Sequence, residues 1–145
     1  MKKILCLFLI LFLLFVSACD SNKILKKEMN AYYSDESNYV ELIGVVVSKP
    51  SSKDGLLYLE INITTETHDF LLNADGSQLF AFWGSDDAYE SIDKDDVINF
   101  VSAPMHFYNG HTLPILALEK GDDTLLSLEN GKDAYLEWLN DVALQ

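Results

Sequence analysis

Apolar residues recur every three or four positions from Lys23 to about Ser34, a spacing that predicts an amphipathic helix. The apolar stripe consists of Ile24, Leu25, Met29, Tyr32 and Tyr33. Charged residues occupy the opposite side, so we expect the apolar face of this helix to pack on the rest of the domain. Its lysines then either face solvent or turn toward a bilayer.

From Tyr39 onward the pattern changes to the alternation and the β-branched runs that are typical of strands. In the segment from Leu56 to Ile63, leucine and isoleucine at every second position define one apolar face. The predicted strands are Tyr39–Val47, Leu56–Ile63, Val97–Ser102 and His111–Leu118, with a further strand, third in order, at either His68–Leu72 or Gln78–Trp83.

Turn and capping residues separate these strands. The polar loop Ser48–Gly55 ends in a glycine turn signal, and Asn109-Gly110 is the strongest hairpin signal because both residues tolerate positive φ. Ser85 or Asp86 is the expected N-cap of a short helix before the strand at Val97. A last helix is predicted from about Gly131 to the end of the chain.

This order of strand, loop, two strands, short helix and hairpin is the order of the five-stranded OB-fold. Gly44 inside the first strand suits the sharp bend that a small barrel requires. The predicted fold class is therefore mainly β. It is a five-stranded OB-like Greek-key barrel with an N-terminal helix, a short helix before strand four and a C-terminal helix.

The first residues follow the layout of a secretory signal peptide. Met1-Lys2-Lys3 is positively charged, and the segment Ile4–Val16 is apolar over thirteen positions apart from the thiol of Cys6. This stretch is too short to span a bilayer stably. Val16-Ser17-Ala18-Cys19 follows and resembles the lipobox of bacterial lipoproteins, in which an apolar residue and two small residues precede a cysteine.

The lipobox resemblance implies that residues 1–18 are removed and that the Cys19 sulfur receives a diacylglyceryl group. Residues 19–22 would then form a lipidated tether, residues 23–145 a single domain, and the protein would face the extracytoplasmic side of the cell membrane. An uncleaved N-terminal anchor, or an ordinary secretory signal with a coincidental cysteine, is the alternative.

Two short segments resemble a family of OB-fold proteins. Asp95-Asp96-Val97-Ile98-Asn99-Phe100 is similar to the Gly-Asp-x-Val-x-Phe start of the fourth strand in many such barrels, with Asp in place of Gly. Ser102-Ala103-Pro104, Phe107, Gly110 and Pro114-Ile115 are similar to small OB-fold lipoproteins of low-GC Gram-positive bacteria (Firmicutes), akin to tRNA-anticodon-binding-like domains. The resemblance implies the fold and carries no catalytic residues.

The charge of the chain bears on its partners. Its 145 residues include 23 acidic residues and 10 basic ones, all lysine, which gives a formal net charge of −13. Loss of Lys2 and Lys3 with the signal peptide would make this −15. Such a surface disfavours nucleic acid, which is bound through clustered lysine and arginine, and it makes the acyl chains the expected membrane attachment.

No catalytic or cofactor site is predicted. The lipobox resemblance implies that Cys6 leaves with the signal and that Cys19 is acylated, so no free thiol would remain. His106 and His111 flank the hairpin turn and are weak metal candidates, although loop histidines more often face solvent. The acidic clusters lack the glycine of an EF-hand loop, and helix capping and turns account for them. We therefore expect neither an enzyme nor a bound metal.

A binding function is the better hypothesis, because OB-folds present ligands to strands two and three and to the adjacent loops. The candidate contact residues are Tyr58, Met105, Phe107 and Tyr108, and Phe80-Phe82-Trp83 either extends this patch or fills the core. The predicted partner is a protein or a cell-envelope component. The alternatives are a small-ligand or divalent-cation sensor that uses the last hairpin loop, and a structural accessory that docks through the first helix.

Overall fold

The structure is a computed structural model that describes residues 26–53, 56–65, 77–103 and 112–143. Helix α1 covers residues 26–34, and a short 3-10 helix Glu36–Asn38 follows it. The other elements, in chain order, are β1 Val40–Val46, β2 Ser51–Lys53, β3 Leu56–Ile63, β4 Ser77–Phe82, α2 Asp86–Ser91, β5 Val97–Ser102, β6 Thr112–Lys120, β7 Asp123–Leu126, α3 Leu128–Trp138 and a π-helical turn Leu139–Ala143.

Five strands close a barrel in the circular order β1, β3, β4, β6, β5. All of the pairings between these strands are antiparallel except the pairing of β4 with β6, which is parallel. The predicted OB-like barrel is confirmed, with an N-terminal helix, with α2 between its third and fourth strands, and with a C-terminal helix. Strands β2 and β7 pair with β3 and β6 and extend the sheet.

Gly44 lies where β1 is shared between two neighbouring strands. It is opposite Ile98 of β5 and Ile63 of β3 in the strand register. A Cβ at this position would overlap the Ile61 side chain and would lie 2.9 Å from the carbonyl oxygen of Asn62. The absence of a side chain therefore allows β1 and β3 to approach closely at the point where the barrel closes.

The sequence predictions differ from the structure at several element bounds. The third barrel strand is the second of the two candidates, since β4 covers Ser77–Phe82. Strand β2 lies inside the segment that was predicted as a loop, because its three polar, exposed residues carry no apolar alternation. Strand β6 continues to Lys120, and β7 was not predicted. Helix α3 begins at Leu128, three residues earlier than expected, because Ser127 caps it.

Two apolar clusters stabilise the fold. The first fills the interior of the barrel, and its largest fully buried side chains are Phe80, Phe82, Leu59, Ile61, Ile92, Ile98, Leu113, Ile115 and Leu118. The second lies between α1, α3 and the outer side of β6, and its buried members are Met29, Tyr33, Ala103, Leu116, Tyr135 and Leu139. The predicted packing of the first helix through its apolar face is confirmed for Met29 and Tyr33.

Candidate functional site

Of the residues predicted to contact a ligand, the structure describes Tyr58. This tyrosine lies on β3, half-buried, opposite Ser51 of β2 and Ala81 of β4. Residues Met105, His106, Phe107, Tyr108 and His111 of the hairpin lie outside the described residues, as does Cys19.

The aromatic run at the end of β4 belongs to the two cores. Phe80 and Phe82 are completely buried inside the barrel, and the Phe80 ring makes an edge contact with Phe100 at 5.0 Å. Trp83 leaves the barrel and packs against Tyr135 at 5.1 Å and against Trp138 at 5.5 Å. The core interpretation of Phe80 and Phe82 is therefore correct, and they do not extend a surface patch.

An open groove of about 420 Å³ lies on the outer surface of β1, β5 and β6. We call it the outer groove. Its outward-facing strand residues form two rows across the three strands, and Thr65 borders one side. Read from β1 through β5 to β6, the first row consists of Glu41, Val101 and Ala117. The second row consists of Ile43, Asn99 and Glu119.

Ile43, Val101 and Ala117 give the outer groove an aliphatic surface, beside the polar side chain of Asn99. Ile43 is 41% exposed. Val97, the next outward residue on β5 beyond Asn99, lies beside the groove and is 60% exposed. Among the described residues these are the exposed large hydrophobic side chains. These side chains are close together on the outer wall, next to a groove, and so offer an apolar group more contact than either would alone.

The backbone around Ile43 is held in place by the residues that follow β3. The Ile43 N–H donates to Thr65 Oγ1 at 2.9 Å, and the Thr64 N–H donates to the Ile43 carbonyl oxygen at 2.8 Å. These bonds satisfy the Ile43 backbone on the side away from β5. The side chain of Ile43 is therefore presented to the groove by a fixed stretch of strand.

The charge at the rim of the outer groove is negative. Glu41 and Glu119 are both exposed and line it at diagonal corners. Lys120, the neighbour of Glu119, is directed elsewhere, because its Nζ lies 2.6 Å from Asp96 Oδ2 and donates to the Ser91 carbonyl oxygen at 2.7 Å. The groove thus combines aliphatic surface with two carboxylates, which suits a ligand that is both apolar and cationic.

The acidic segment between α2 and β5 forms a turn. Burial raises the pKa of Asp96, but hydrogen bonds from the Asp93 N–H at 2.7 Å and from Lys120 outweigh it and lower the pKa overall. Ser85 Oγ accepts from the Ala88 N–H at 3.2 Å, so Ser85 is the N-cap of α2. The described part of the chain holds no group of three metal-ligating side chains close enough for an ion.

The cluster between α1 and α3 is built on an aromatic contact. The rings of Tyr33 and Tyr135 lie 4.5 Å apart. Burial raises the pKa of Tyr135 to about 12, although the hydrogen bond with Tyr33 by itself lowers this pKa. Burial also raises the pKa of Tyr33, and the charge and the hydrogen bond of Tyr135 raise it further. Both phenols are neutral at ordinary pH and serve packing.

Polar contacts join α1 to the end of the chain beyond this cluster. Lys26 Nζ donates to the Asn140 carbonyl oxygen at 2.6 Å, and the side-chain amides of Asn30 and Asn140 bond to each other at 3.0 Å. The helix that follows the predicted tether is therefore fixed to the C-terminal helix. None of the described helices is long and apolar enough to cross a membrane.

The comparisons with known proteins identify no relative from which a function could be inferred, so the fold and the outer groove are the basis for one. No family model, no curated protein and no solved structure matches this chain. The sequence did contain a sign of the outer groove, since Ile43, Val97 and Val101 are aliphatic at outward positions where a solvated strand would carry polar residues.

Proposed function

We propose that this protein is a non-enzymatic binding module, held at the extracytoplasmic side of the cell membrane by a lipid on Cys19, and that it binds a protein or cell-envelope partner. The observation that carries the proposal is the outer groove with the exposed aliphatic side chain of Ile43 in it and Val97 beside it. The barrel interior is filled by its own side chains, so a ligand is expected on the outer wall.

The energetics favour a partner of macromolecular size. Burial of the exposed parts of Ile43 and Val97 would contribute about 2–4 kcal/mol in total. Association costs several kcal/mol in lost translational and rotational freedom, so further contacts around the groove are needed. A partner that covers the groove and its rim supplies them.

The proposed anchor limits where this surface can act. Lys26 is seven positions from Cys19, and a chain of this length spans at most about 25 Å when fully extended. Since Lys26 is bound to Asn140, both α1 and the π-helical turn after α3 would remain within reach of the membrane. The expected partner is therefore a membrane protein or a component close to the membrane surface.

Site-specific photo-crosslinking in native membranes tests the proposal. We replace Ile43 in the full-length chain by benzoylphenylalanine and use the same replacement at Glu129, an exposed residue of α3, as the control. We expect a discrete adduct from position 43 that is absent from position 129. The absence of an adduct at position 43, or the same set of adducts at both positions, would contradict a binding role for the groove.

A further inference from the structure

We propose that the outer groove binds a short extended segment of a partner protein, in which an aliphatic side chain lies between two lysine or arginine residues. This inference rests on the proposed binding function and adds the chemistry of the ligand. It also places the site on β1, β5 and β6, which are strands one, four and five of the barrel, whereas the sequence favoured strands two and three.

The spacing of the groove matches that of an extended peptide. Outward residues on one strand are two positions apart, so the rows that contain Glu41 and Ile43 are separated by about 7 Å. An extended peptide presents its alternate side chains at the same interval of about 7 Å. A peptide that crosses the groove along its diagonal can therefore place its side chains i, i+2 and i+4 over one corner, the centre and the opposite corner.

The two carboxylates set the positions of the basic residues. Glu41 and Glu119 lie two strands and one row apart, which places their backbones about 12 Å from each other. In an extended peptide this is close to the separation of residues i and i+4. Val101 and Asn99 of β5 lie between the carboxylates, and Ile43 and Ala117 occupy the other two corners. The aliphatic side chain at i+2 would contact Val101, with Ile43 and Ala117 on either side.

Other ligand classes fit the groove less well. Nucleic acid would meet these carboxylates and a chain of formal charge −13. A sugar or a base is usually bound by an exposed aromatic face, but Phe100, the aromatic residue that lines the groove, is only 3% exposed. A peptide with basic and aliphatic side chains complements both the negative charge of the rim and the aliphatic surface of the groove.

The first test measures peptide binding to the full-length protein in detergent. The probe is a fluorescent heptapeptide with lysine at its second and sixth positions, valine at its fourth position and small neutral residues elsewhere. The same peptide with glutamate in place of both lysines is the matched control. Binding is followed by anisotropy and by the methyl resonances of Ile43 and Val101. We expect the lysine peptide to shift both resonances and the glutamate peptide to shift neither. Equal binding of the two peptides, or no shift with the lysine peptide at millimolar concentration, would overturn the inference.

Charge-neutral variants locate the binding. Glu41→Gln and Glu119→Gln should each weaken the lysine peptide about threefold, as expected for partly exposed ion pairs. Glu129→Gln and Glu137→Gln on α3 remove the same charge away from the groove and should leave affinity unchanged. Ile43→Thr keeps a β-branched residue in β1 and should weaken binding with an unaltered circular dichroism spectrum. Equal weakening by the α3 variants would show attraction to the net charge and would refute the groove.

The two proposals fail differently. If position 43 yields a crosslinked partner while the lysine peptide does not bind, the binding function stands and the ligand chemistry is wrong. If position 43 yields no partner in membranes, the binding function itself falls, whatever the peptide does.

Discussion

Gly131 of α3 and Leu116 of β6 are in backbone contact. A Cβ on Gly131 would overlap the carbonyl oxygen of Leu116 and would lie 3.0 Å from the Leu126 side chain. Leu116 itself is completely buried between the barrel and the two terminal helices. The missing side chain thus lets α3 lie directly on the barrel wall.

Replacement of Gly131 by alanine should therefore destabilise the protein. Alanine favours helix formation by about 1 kcal/mol relative to glycine, but the overlap with a strand backbone can be relieved only by moving the helix. We expect a net loss of about 2 kcal/mol in the free energy of unfolding, measured by urea titration. Asn130→Ala, on the exposed side of the same helix, should cause no loss. A Gly131→Ala protein as stable as its parent would refute this contact.

The buried tyrosines predict unfolding at high pH. The folded-state pKa of Tyr135 is about 12, above its ordinary value of 10.0, so the contribution of this group to stability is complete below pH 10 and is lost as the pH rises through 12. The pKa of Tyr33 is also raised by burial, so ionisation of Tyr33 likewise lowers stability at high pH. We expect the free energy of unfolding to fall steeply between pH 10 and pH 12 in urea titrations.

Phenylalanine substitution identifies the groups responsible. Tyr135→Phe removes the ionisable hydroxyl and should make the fall between pH 10 and pH 12 shallower. Tyr89 lies on α2, outside the aromatic cluster, so Tyr89→Phe should leave the slope unchanged. The same slope in Tyr135→Phe and in the parent would exclude Tyr135 as a cause.

The turn before β5 predicts a loss of stability in acid. The folded-state pKa of Asp96 lies below its ordinary value of 3.8, so its stabilising effect is present above that pH and is lost as the pH falls. Asp96→Asn should lower the free energy of unfolding by at most about 1 kcal/mol at pH 7, and the difference should shrink toward pH 3. Asp122→Asn, in the exposed β6–β7 turn, is the control. A difference that is independent of pH would argue against ionisation as the cause.

The proposed lipid anchor predicts that Cys19 determines membrane association. Cys19→Ala should abolish incorporation of radioactive palmitate and should move the protein out of the membrane fraction if the signal is still cleaved. If the signal is not cleaved, loss of the palmitate label remains the readout. Cys6→Ala, within the apolar stretch, should change neither property. Labelling of Cys19→Ala at the level of the parent would refute the anchor.

The cation-sensor alternative makes a different prediction about the hairpin. If His106 and His111 held a metal, millimolar Zn²⁺ or Ca²⁺ would raise the Tm, and the double substitution to alanine would remove that rise. For the proposed binding module we expect the same Tm with and without these cations, in both the parent and the double variant. A rise that depends on the two histidines would favour the sensor.

The strands that could be predicted are those whose local pattern is strong. Leu56–Ile63 and Val97–Ser102 have the predicted bounds, because apolar residues recur at every second position in the first and β-branched and aromatic residues predominate in the second. Strand β2 carries no apolar residue, and β7 is only four residues long, so both depend on pairing with a longer neighbour. The predicted start of α3 at Gly131 is wrong because Ser127 caps the helix. Gly131 lies one turn further on, where the helix contacts β6.

The outer groove required the strand register. The aliphatic residues of β1 and β5 were visible in the sequence, but a continuous apolar run is equally typical of a strand that is buried on both faces. Only the pairing of Ile43 with Asn99, and of Asn99 with Glu119, places these side chains in one row. The Ile43 side chain is exposed because none of the described residues packs over it.

The sequence by itself determined the order of the main barrel strands, the short helix between them and the glycine at which β1 is shared, because these depend on local alternation, capping and backbone size. The tertiary structure decided which faces are covered. Residues far apart in the chain, such as Lys26 and Asn140, come together when the terminal helices pack on β6, and the wall formed by β1 and β5 keeps its aliphatic side chains exposed. Exposure depends on such neighbours, and no local pattern encodes them.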